Sequence, residues 1–348
     1  MVDNIVTLQI SLMVKEEMFE VNLLVILGPT ATGKTQLAVQ LADKLEGEII
    51  SADSRQVYRG MNIGTGKDLG EYKLQGRLIP YHLIDIVDPI EEYNVAQFQK
   101  DYEKVSAEIR KRKKLPILCG GTGLYLKAVL LNFQLPTAEP NQQLREKLEF
   151  WTLENLIKEL ETISPGASVK TPLDTKRRVI RAIEVAKSRE KGERKKEKGT
   201  STRLPTKISG GGQASSVTRV NEHRALSPDP ITPIVLGIDY PREVIRERIT
   251  TRLHYRFDNG MIEEVQALLK NGVTHERMEI LGLEYRFISR YLNGVYNKDE
   301  MTTLLNTAIH QFAKKQMTFF RNMEKNGIKI HWIPDGDFET ALEVISKG

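Results

Sequence analysis

Short, largely apolar, strand-like runs mark the chain at Leu23–Leu27, Glu48–Ser51, Tyr81–Val87, Leu115–Cys119, Pro233–Ile238 and Ile328–Ile333. The first of them, Leu23–Leu27, is unbroken, as expected of a strand buried on both faces of a parallel sheet. Between them, apolar residues recur at helical spacing. Leu37, Ala38, Leu41 and Leu45 form one stripe after Gln36, and Phe98, Tyr102, Val105 and Ile109 form another within 94–113. A further helix is expected over 122–131, directly after the fourth strand. The alternation predicts an α/β fold, a doubly wound and mostly parallel sheet. Ligands in such sheets bind outside the carboxyl ends of the strands. Gly28, Asp53, Asp85 and the run Gly120, Gly121, Thr122 stand at those ends and are expected to converge.

Between Leu135 and His223 the alternation stops. Residues 141–161 and 172–187 read as helices with Gly166 between them. Residues 187–198 then pack seven Lys/Arg and three Glu into twelve positions, followed by a Gly-, Ser- and Thr-rich stretch over 199–213. Nothing there could bury a core, so about 190–224 is expected to be disordered. The sheet pattern resumes at Ile231, which makes the helical piece an insertion in the α/β domain. The last third is mainly helical. Asp239, Tyr240 and Pro241 predict an N-cap and an early proline for a helix reaching Leu269, stopped by Asn271 and Gly272. Residues 298–325 predict a long amphipathic helix capped near Asn297 and ended by Asn326 and Gly327. The expected plan is a disordered extension over 1–20 and a first part of the core over 21–135. A helical insertion over 136–224 follows, then the remainder of the core with C-terminal helices over 225–348.

Composition narrows the class. The 348 residues carry 51 Lys and Arg against 46 Asp and Glu, a net charge of +5, with the basic residues clustered. Clustering of this kind points to a polyanionic partner. The run Arg110, Lys111, Arg112, Lys113, Lys114 reads instead as a solvated helix end favoured by the helix dipole. Cys119 stands alone, which excludes a disulfide framework within one chain and suits a reducing cytoplasm. No apolar run approaches the ~20 residues that span a bilayer, and residues 1–20 lack the basic start and small-residue cleavage site of a secretory signal.

The chemistry begins at Gly28, Pro29, Thr30, Ala31, Thr32, Gly33, Lys34 and Thr35, a complete G-x-x-x-x-G-K-T loop between a strand and a helix. Such a loop wraps backbone N–H groups around a polyphosphate at a helix N-terminus. Lys34 would reach a terminal phosphate oxygen and the Thr35 hydroxyl would hold Mg²⁺. The second strand ends at Asp53, which could ligate Mg²⁺ through water, take a proton from a nucleophile facing the phosphate, or simply cap the next turn. Gly120, Gly121, Thr122 and Gly123 open a helix after a buried strand and offer a second set of N–H groups and a hydroxyl, while Tyr125 reads as core. Residues 60–67 form a glycine-rich loop ending in Lys67, weak evidence by itself.

Taken in order, these segments resemble the tRNA dimethylallyltransferases, or adenosine isopentenyltransferases. The resemblance rests on Gly28–Thr35, Ser51–Tyr58, His82–Asp85 and Gly120–Tyr125, then on Arg178–Glu184, Gly260–Val265 and Ala313–Arg321, and covers about 23–332. It implies transfer of a dimethylallyl group from dimethylallyl diphosphate to N6 of adenosine 37, beside the tRNA anticodon, with Mg²⁺. By this resemblance Gly28–Thr35 hold the prenyl diphosphate rather than ATP. Asp53 is the general base, Thr122 helps hold the reacting groups, and Lys34, Thr35 with Mg²⁺ and Arg252 neutralise the departing diphosphate. Ser54 and Gln56 are expected to touch tRNA. A stacked base cannot reach such a pocket, so the adenosine must be extruded at a cost of a few kcal/mol. Basic helix faces would grip the RNA backbone, with Arg177, Arg178 and Arg181 on the insertion and Lys314, Lys315 and Arg321 on the last long helix as the candidates. The protein is expected to act as a monomer.

The chain departs from the family pattern at Ile309, His310 and Gln311, where many relatives carry an arginine, and at Leu281–Tyr285. Other readings stay open. A small-molecule P-loop kinase would turn over ATP, and a prenyltransferase of free adenine nucleotides would need no helical insertion. An RNA-binding module switched by a nucleoside triphosphate would be indifferent to Asp53→Ala.

Overall fold

The structure is a computed structural model, described here for residues 21–131, 138, 141–167, 173–200 (side chains to 189) and 231–347. In chain order the strands are β1 (Leu23–Leu27), β2 (Gly47–Ser51), β3 (Lys73–Leu74), β4 (Arg77–Leu78), β5 (Tyr81–His82), β6 (Leu115–Gly120), β7 (Pro233–Asp239) and β8 (His331–Pro334). The first six helices are α1 (Lys34–Lys44), α2 (Val95–Lys111), α3 (Gly123–Leu130), α4 (Gln142–Glu149), α5 (Leu153–Ile163) and α6 (Lys176–Thr200). The other six are α7 (Arg242–Asp258), α8 (Met261–Lys270), α9 (His275–Leu281), α10 (Leu283–Leu292), α11 (Lys298–Lys325) and α12 (Phe338–Ser346).

Six strands form one sheet in the order β5-β2-β6-β1-β7-β8, and every neighbouring pair is parallel. The central strand β1 is buried along its whole length, and its alternation divides the core. Leu24 and Ile26 pack with Leu37, Ala38 and Leu41 of α1 and with Ala341 and Ile345 of α12. Leu23, Val25 and Leu27 pack on the opposite face with Phe98 and Tyr102 of α2, Tyr125 and Leu126 of α3, and Phe320 of α11. Tyr125 is core as expected, stacked on Phe98 with ring centroids 4.0 Å apart. The chain leaves β1 toward β2 on one side, and β6 leads to β7 on the other. The switch point therefore falls between the carboxyl ends of β1 and β6, where a ligand crevice belongs.

Several elements differ from their sequence pattern for local reasons. The strand expected over 81–87 pairs only through Tyr81 and His82. Leu83 and Asp85 take positive φ (60° and 55°), and Asp85 and Ile86 turn to donate N–H bonds to Gln56 O and Val57 O. The helix expected over 141–161 is broken, with Thr152 accepting the Asn155 N–H to start α5 afresh. Asp239 ends β7 rather than capping α7, whose N-cap is Pro241 with no side-chain bond. The helix expected to reach Leu269 stops at Asn259 and restarts after Gly260, whose φ of 93° no helix interior accepts. The last strand begins at His331, because the Ile328 N–H still bonds Met323 O behind α11. The long helix itself is as expected, with a reciprocal capping box between Asn297 and Glu300.

The chain divides into two compact units, residues 1–133 with 226–348 and residues 134–225. In the first, a further cluster built on Met261, Val265, Tyr285, Ile288 and Leu305 joins helices α7 to α11. The second has its own small core of Leu148, Leu156, Leu160, Val179, Ile180 and Ile183. Its α6 continues to Thr200, ten residues into the stretch expected to be disordered. Residues 1–20 and 201–230, on which the other expectations of disorder fall, lie outside the described residues.

Candidate active site

The loop after β1 turns back on itself to present its amides. Ala31 and Gly33 take left-handed φ (66° and 76°), which aims successive N–H groups into one concavity. Thr32 Oγ1 donates to Pro29 O at 2.9 Å, and Lys34 Nζ donates to the same carbonyl at 2.7 Å. Residues Thr30 to Thr35 line a cavity of about 1120 Å³. Gly28 and Pro29 stand behind the loop, Gly28 packed against Thr32 and Ile238.

The carboxyl ends of β2 and β6 form the adjoining wall. Asp53 Oδ1 accepts the Arg55 N–H at 2.8 Å, which leaves its other oxygen for the cavity. Thr122 Oγ1 accepts the Ser54 N–H at 3.0 Å and contacts Ser54 Oγ at 3.3 Å, so the two strand-tip loops are hydrogen-bonded to one another. Asp53, Ser54, Gln56 and Thr122 all line the cavity. So does Arg252 of α7, whose guanidinium donates to Thr30 Oγ1. Lys315 of α11 is also in the wall.

Electrostatics in the cavity favour an anion. Desolvation brings the Lys34 ammonium down to about 8, an effect that neighbouring Arg252 adds to. Desolvation and the nearby Arg256 lower Arg252 to about 10. Two recessed cations that resist each other gain most from a polyanion placed between them. The Glu71 carboxyl, also in the wall, is shifted upward by desolvation and by Asp68. The Cys119 thiol, also in the wall, is pushed up to about 12 by burial, so it stays protonated and has no nucleophilic character at neutral pH.

One expected member is elsewhere. Asp85 does not join the strand-end cluster: its carboxylate pairs with Lys67, which is buried and also donates to Tyr58 O at 2.7 Å. The pair fixes the strained turn after β5. The expected RNA contacts on the helical unit are partly engaged within it. Arg178 pairs with Asp174 at 2.6 Å, Arg181 donates to Glu184 at 3.0 Å and to Ala138 O at 2.7 Å, and Arg177 is exposed. On α11, Lys314 is exposed and Arg321 lies over the Trp332 ring at 4.4 Å while pairing with Glu324 at 3.5 Å. His310 bonds Arg246 O at 3.2 Å and contacts Thr250 Oγ1 at 3.4 Å.

Sequence reasoning passed over the side chains that hold the walls. Glu264 accepts N–H bonds from Asn62, Ile63 and Gly64 (2.7, 2.7 and 3.0 Å) and the Tyr285 hydroxyl at 2.7 Å, and so clamps the glycine-rich loop. Arg256, buried under Gly66, donates to Gly64 O at 3.2 Å and pairs with Glu284 at 3.3 Å. Glu264 lay within a quoted motif, but nothing local marks its partners two hundred residues away.

Known proteins resemble the chain over most of its length. The profile of the IPP transferase family matches residues 56–323, and that of the isopentenyl transferases matches 21–81. The chain is 45% identical over 327 residues to tRNA dimethylallyltransferase 2 of Shewanella sediminis, covering 93% of this chain and 98% of that protein. It is 46% identical over 314 residues to tRNA dimethylallyltransferase 1 of Parabacteroides distasonis, covering 89% and 92%. Among solved structures it is similar to the full-length tRNA isopentenylpyrophosphate transferase of Bacillus halodurans, with a TM-score of 0.62, 32% identity and 94% of each chain covered. A eukaryotic dimethylallyltransferase acting on tRNA shares the fold at 24% identity and a TM-score of 0.68, over 91% of this chain and 74% of that one.

Proposed function

This chain belongs to the IPP transferase family, and from that premise we propose that it transfers a dimethylallyl group from dimethylallyl diphosphate to N6 of adenosine 37 in tRNA. The observation that carries the reading is the meeting, in one cavity, of a phosphate loop flanked by recessed cations and a carboxylate on a neighbouring strand tip. An exocyclic amine is a poor nucleophile, so its proton must be taken as the new bond forms. In the proposed step the N6 lone pair bonds to the allylic carbon, the carbon–oxygen bond to diphosphate breaks, and Asp53 accepts the N6 proton. Negative charge growing on the diphosphate is met by Lys34, Arg252 and the N–H groups of the loop. Thr122 holds the Asp53 segment in place through Ser54.

The oxygen donors fit a magnesium ion. The Thr35 hydroxyl and the Glu71 carboxyl both line the cavity. Among the described residues no group of three or more His, Cys, Asp or Glu is assembled for a metal; magnesium usually keeps several waters and takes substrate phosphate oxygens. Bound there, Mg²⁺ would neutralise diphosphate charge. Ser54, Gln56 and Lys315 face the acceptor in this reading, with Lys314 and Arg321 on α11 and Arg177 and Arg178 on α6 meeting the RNA backbone, while Arg181 stays paired with Glu184. The enzyme would act as a monomer in the cytoplasm. No helix among the described residues is long and apolar enough to cross a membrane.

The test is a transfer assay with Mg²⁺ and dimethylallyl diphosphate on three acceptors: an anticodon stem-loop with adenosine 37, the same loop with guanosine 37, and free AMP. ATP hydrolysis is followed alongside. Gain of one prenyl mass on the first acceptor alone is expected. Transfer to AMP, or ATP consumption without transfer, would replace the reading with one of its alternatives.

A further inference from the structure

Gln316 is a buried polar side chain in the middle of α11, and its carboxamide is used at both ends. Oε1 accepts the Thr30 N–H at 3.0 Å, and Nε2 donates to Gly121 O at 2.8 Å. The partners belong to different strand-tip loops, 286 and 195 residues away in sequence. Gly121 has no side chain to hold the amide off: a Cβ there would come within 2.5 Å of Nε2. One turn on, Phe319 packs as closely against Gly123, so α11 underlies the whole second glycine loop.

The bonds continue on either side. Thr30 Oγ1 accepts Arg252. Gly121 leads directly to Thr122, whose N–H donates to Ala52 O at 3.2 Å and whose Oγ1 accepts the Ser54 N–H at 3.0 Å. Asp53 lies between those two residues. A single amide therefore links the loop that would hold the leaving diphosphate to the loop that carries the carboxylate.

We infer that Gln316 is a positioning residue that sets the spacing between the diphosphate cradle and Asp53. The inference rests on the transfer reaction proposed above. Displacement at an allylic carbon needs the nucleophile and leaving group aligned to within a fraction of an ångström, and small misplacements are costly. Without the amide the two loops keep only the pairing of β1 with β6 behind them and lose the side-chain link across their tips, yet Lys34, Arg252 and the loop N–H groups still bind diphosphate. Misalignment then lets water compete with N6. Its oxygen bonds to the allylic carbon as the carbon–oxygen bond to diphosphate breaks, giving dimethylallyl alcohol, diphosphate and a proton.

Gln316→Met keeps length and removes both bonds. Gln316→Glu keeps an acceptor for Thr30 and turns an oxygen toward the Gly121 carbonyl. Gln311→Met, on the exposed face of the same helix, is the control. Each full-length protein is assayed with dimethylallyl diphosphate and the adenosine-37 stem-loop for kcat, both KM values, thermal unfolding and diphosphate released per prenyl group transferred. Wild type and Q311M are expected to release diphosphate and transfer prenyl in equal amounts. Q316M is expected to lose about 100-fold in kcat, to keep both KM values within about threefold, and to release diphosphate in excess of transfer. Q316E is expected to lose at least as much. Folded variants with wild-type kcat and coupling, a loss confined to the KM for dimethylallyl diphosphate, or unfolding of both variants would overturn the inference. Failure of the wild-type protein to transfer would strike the reaction itself, not the role of Gln316.

Discussion

Arg252 and Arg181 are both helix arginines, and they are held in opposite ways. Arg252 faces the cavity with a neutral hydroxyl, Thr30, as its hydrogen-bond partner and another arginine beside it. Arg181 spends its donors on Glu184 and on a backbone carbonyl within the helical unit. The first is a cation whose local surroundings disfavour its charge, the condition in which an anionic ligand is bound tightly. The second is already compensated, and Glu184, buried and also bonded to Arg145 at 2.8 Å, anchors the start of α4 through the Asn141 N–H at 2.9 Å. The α/β unit thus holds uncompensated cations at one point, whereas in the helical unit Arg181 is paired and Arg177 is exposed. Chemistry is expected from the first arrangement and adaptable RNA contact from the second.

The contrast can be broken most sharply by pH. Lys34 of the free protein is charged below about 8 and neutral above it. A bound diphosphate requires the ammonium, so affinity for inorganic diphosphate should be constant below pH 8 and fall by up to about tenfold per unit above it. Stability of the ligand-free protein should move the other way, because a lysine in the unfolded chain titrates near 10.4. The desolvation penalty on Lys34 is present below pH 8 and is relieved as pH rises toward about 10. Calorimetric titration with diphosphate from pH 7 to 10 checks the first trend, and an affinity flat across that range would contradict the account.

A smaller effect separates the arginines of the helical unit. Replacing a residue that contacts phosphate lowers the slope of log affinity against log salt by about one. Arg177→Gln should do so for a stem-loop RNA, with an affinity loss of only a few-fold at moderate salt. Arg181→Gln should leave the slope nearly unchanged and lower the thermal stability of the helical unit instead, since it removes a partner of buried Glu184. The reverse assignment would show that the internal pairing of Arg181 gives way to RNA.

The sheet was readable from sequence because β1 and β6 are buried on both faces, so their apolar runs are continuous and bounded. The phosphate loop and the capping box of α11 were readable for the same kind of reason: their hydrogen bonds close within a few residues. What escaped depends on distant partners. Asp85 stands at a strand end like Asp53, but Lys67 claims it. The helix breaks at Thr152 and Gly260 turn on one cap and one positive φ inside otherwise unbroken helical patterns. Gln316 reads as one polar residue on an amphipathic helix, and only folding brings Thr30 and Gly121 to its two ends.

The most direct measurement is single-turnover prenyl transfer by the Asp53→Asn protein, with Mg²⁺, dimethylallyl diphosphate and the adenosine-37 stem-loop, beside a binding titration of the same RNA. Asparagine keeps the bond to the Arg55 N–H but cannot take the N6 proton. The account expects the transfer rate to fall by about 10²–10⁴ with RNA affinity unchanged. A variant that transfers at the wild-type rate, or that loses rate only because it no longer binds RNA, would contradict the claim that Asp53 is the base in this cavity.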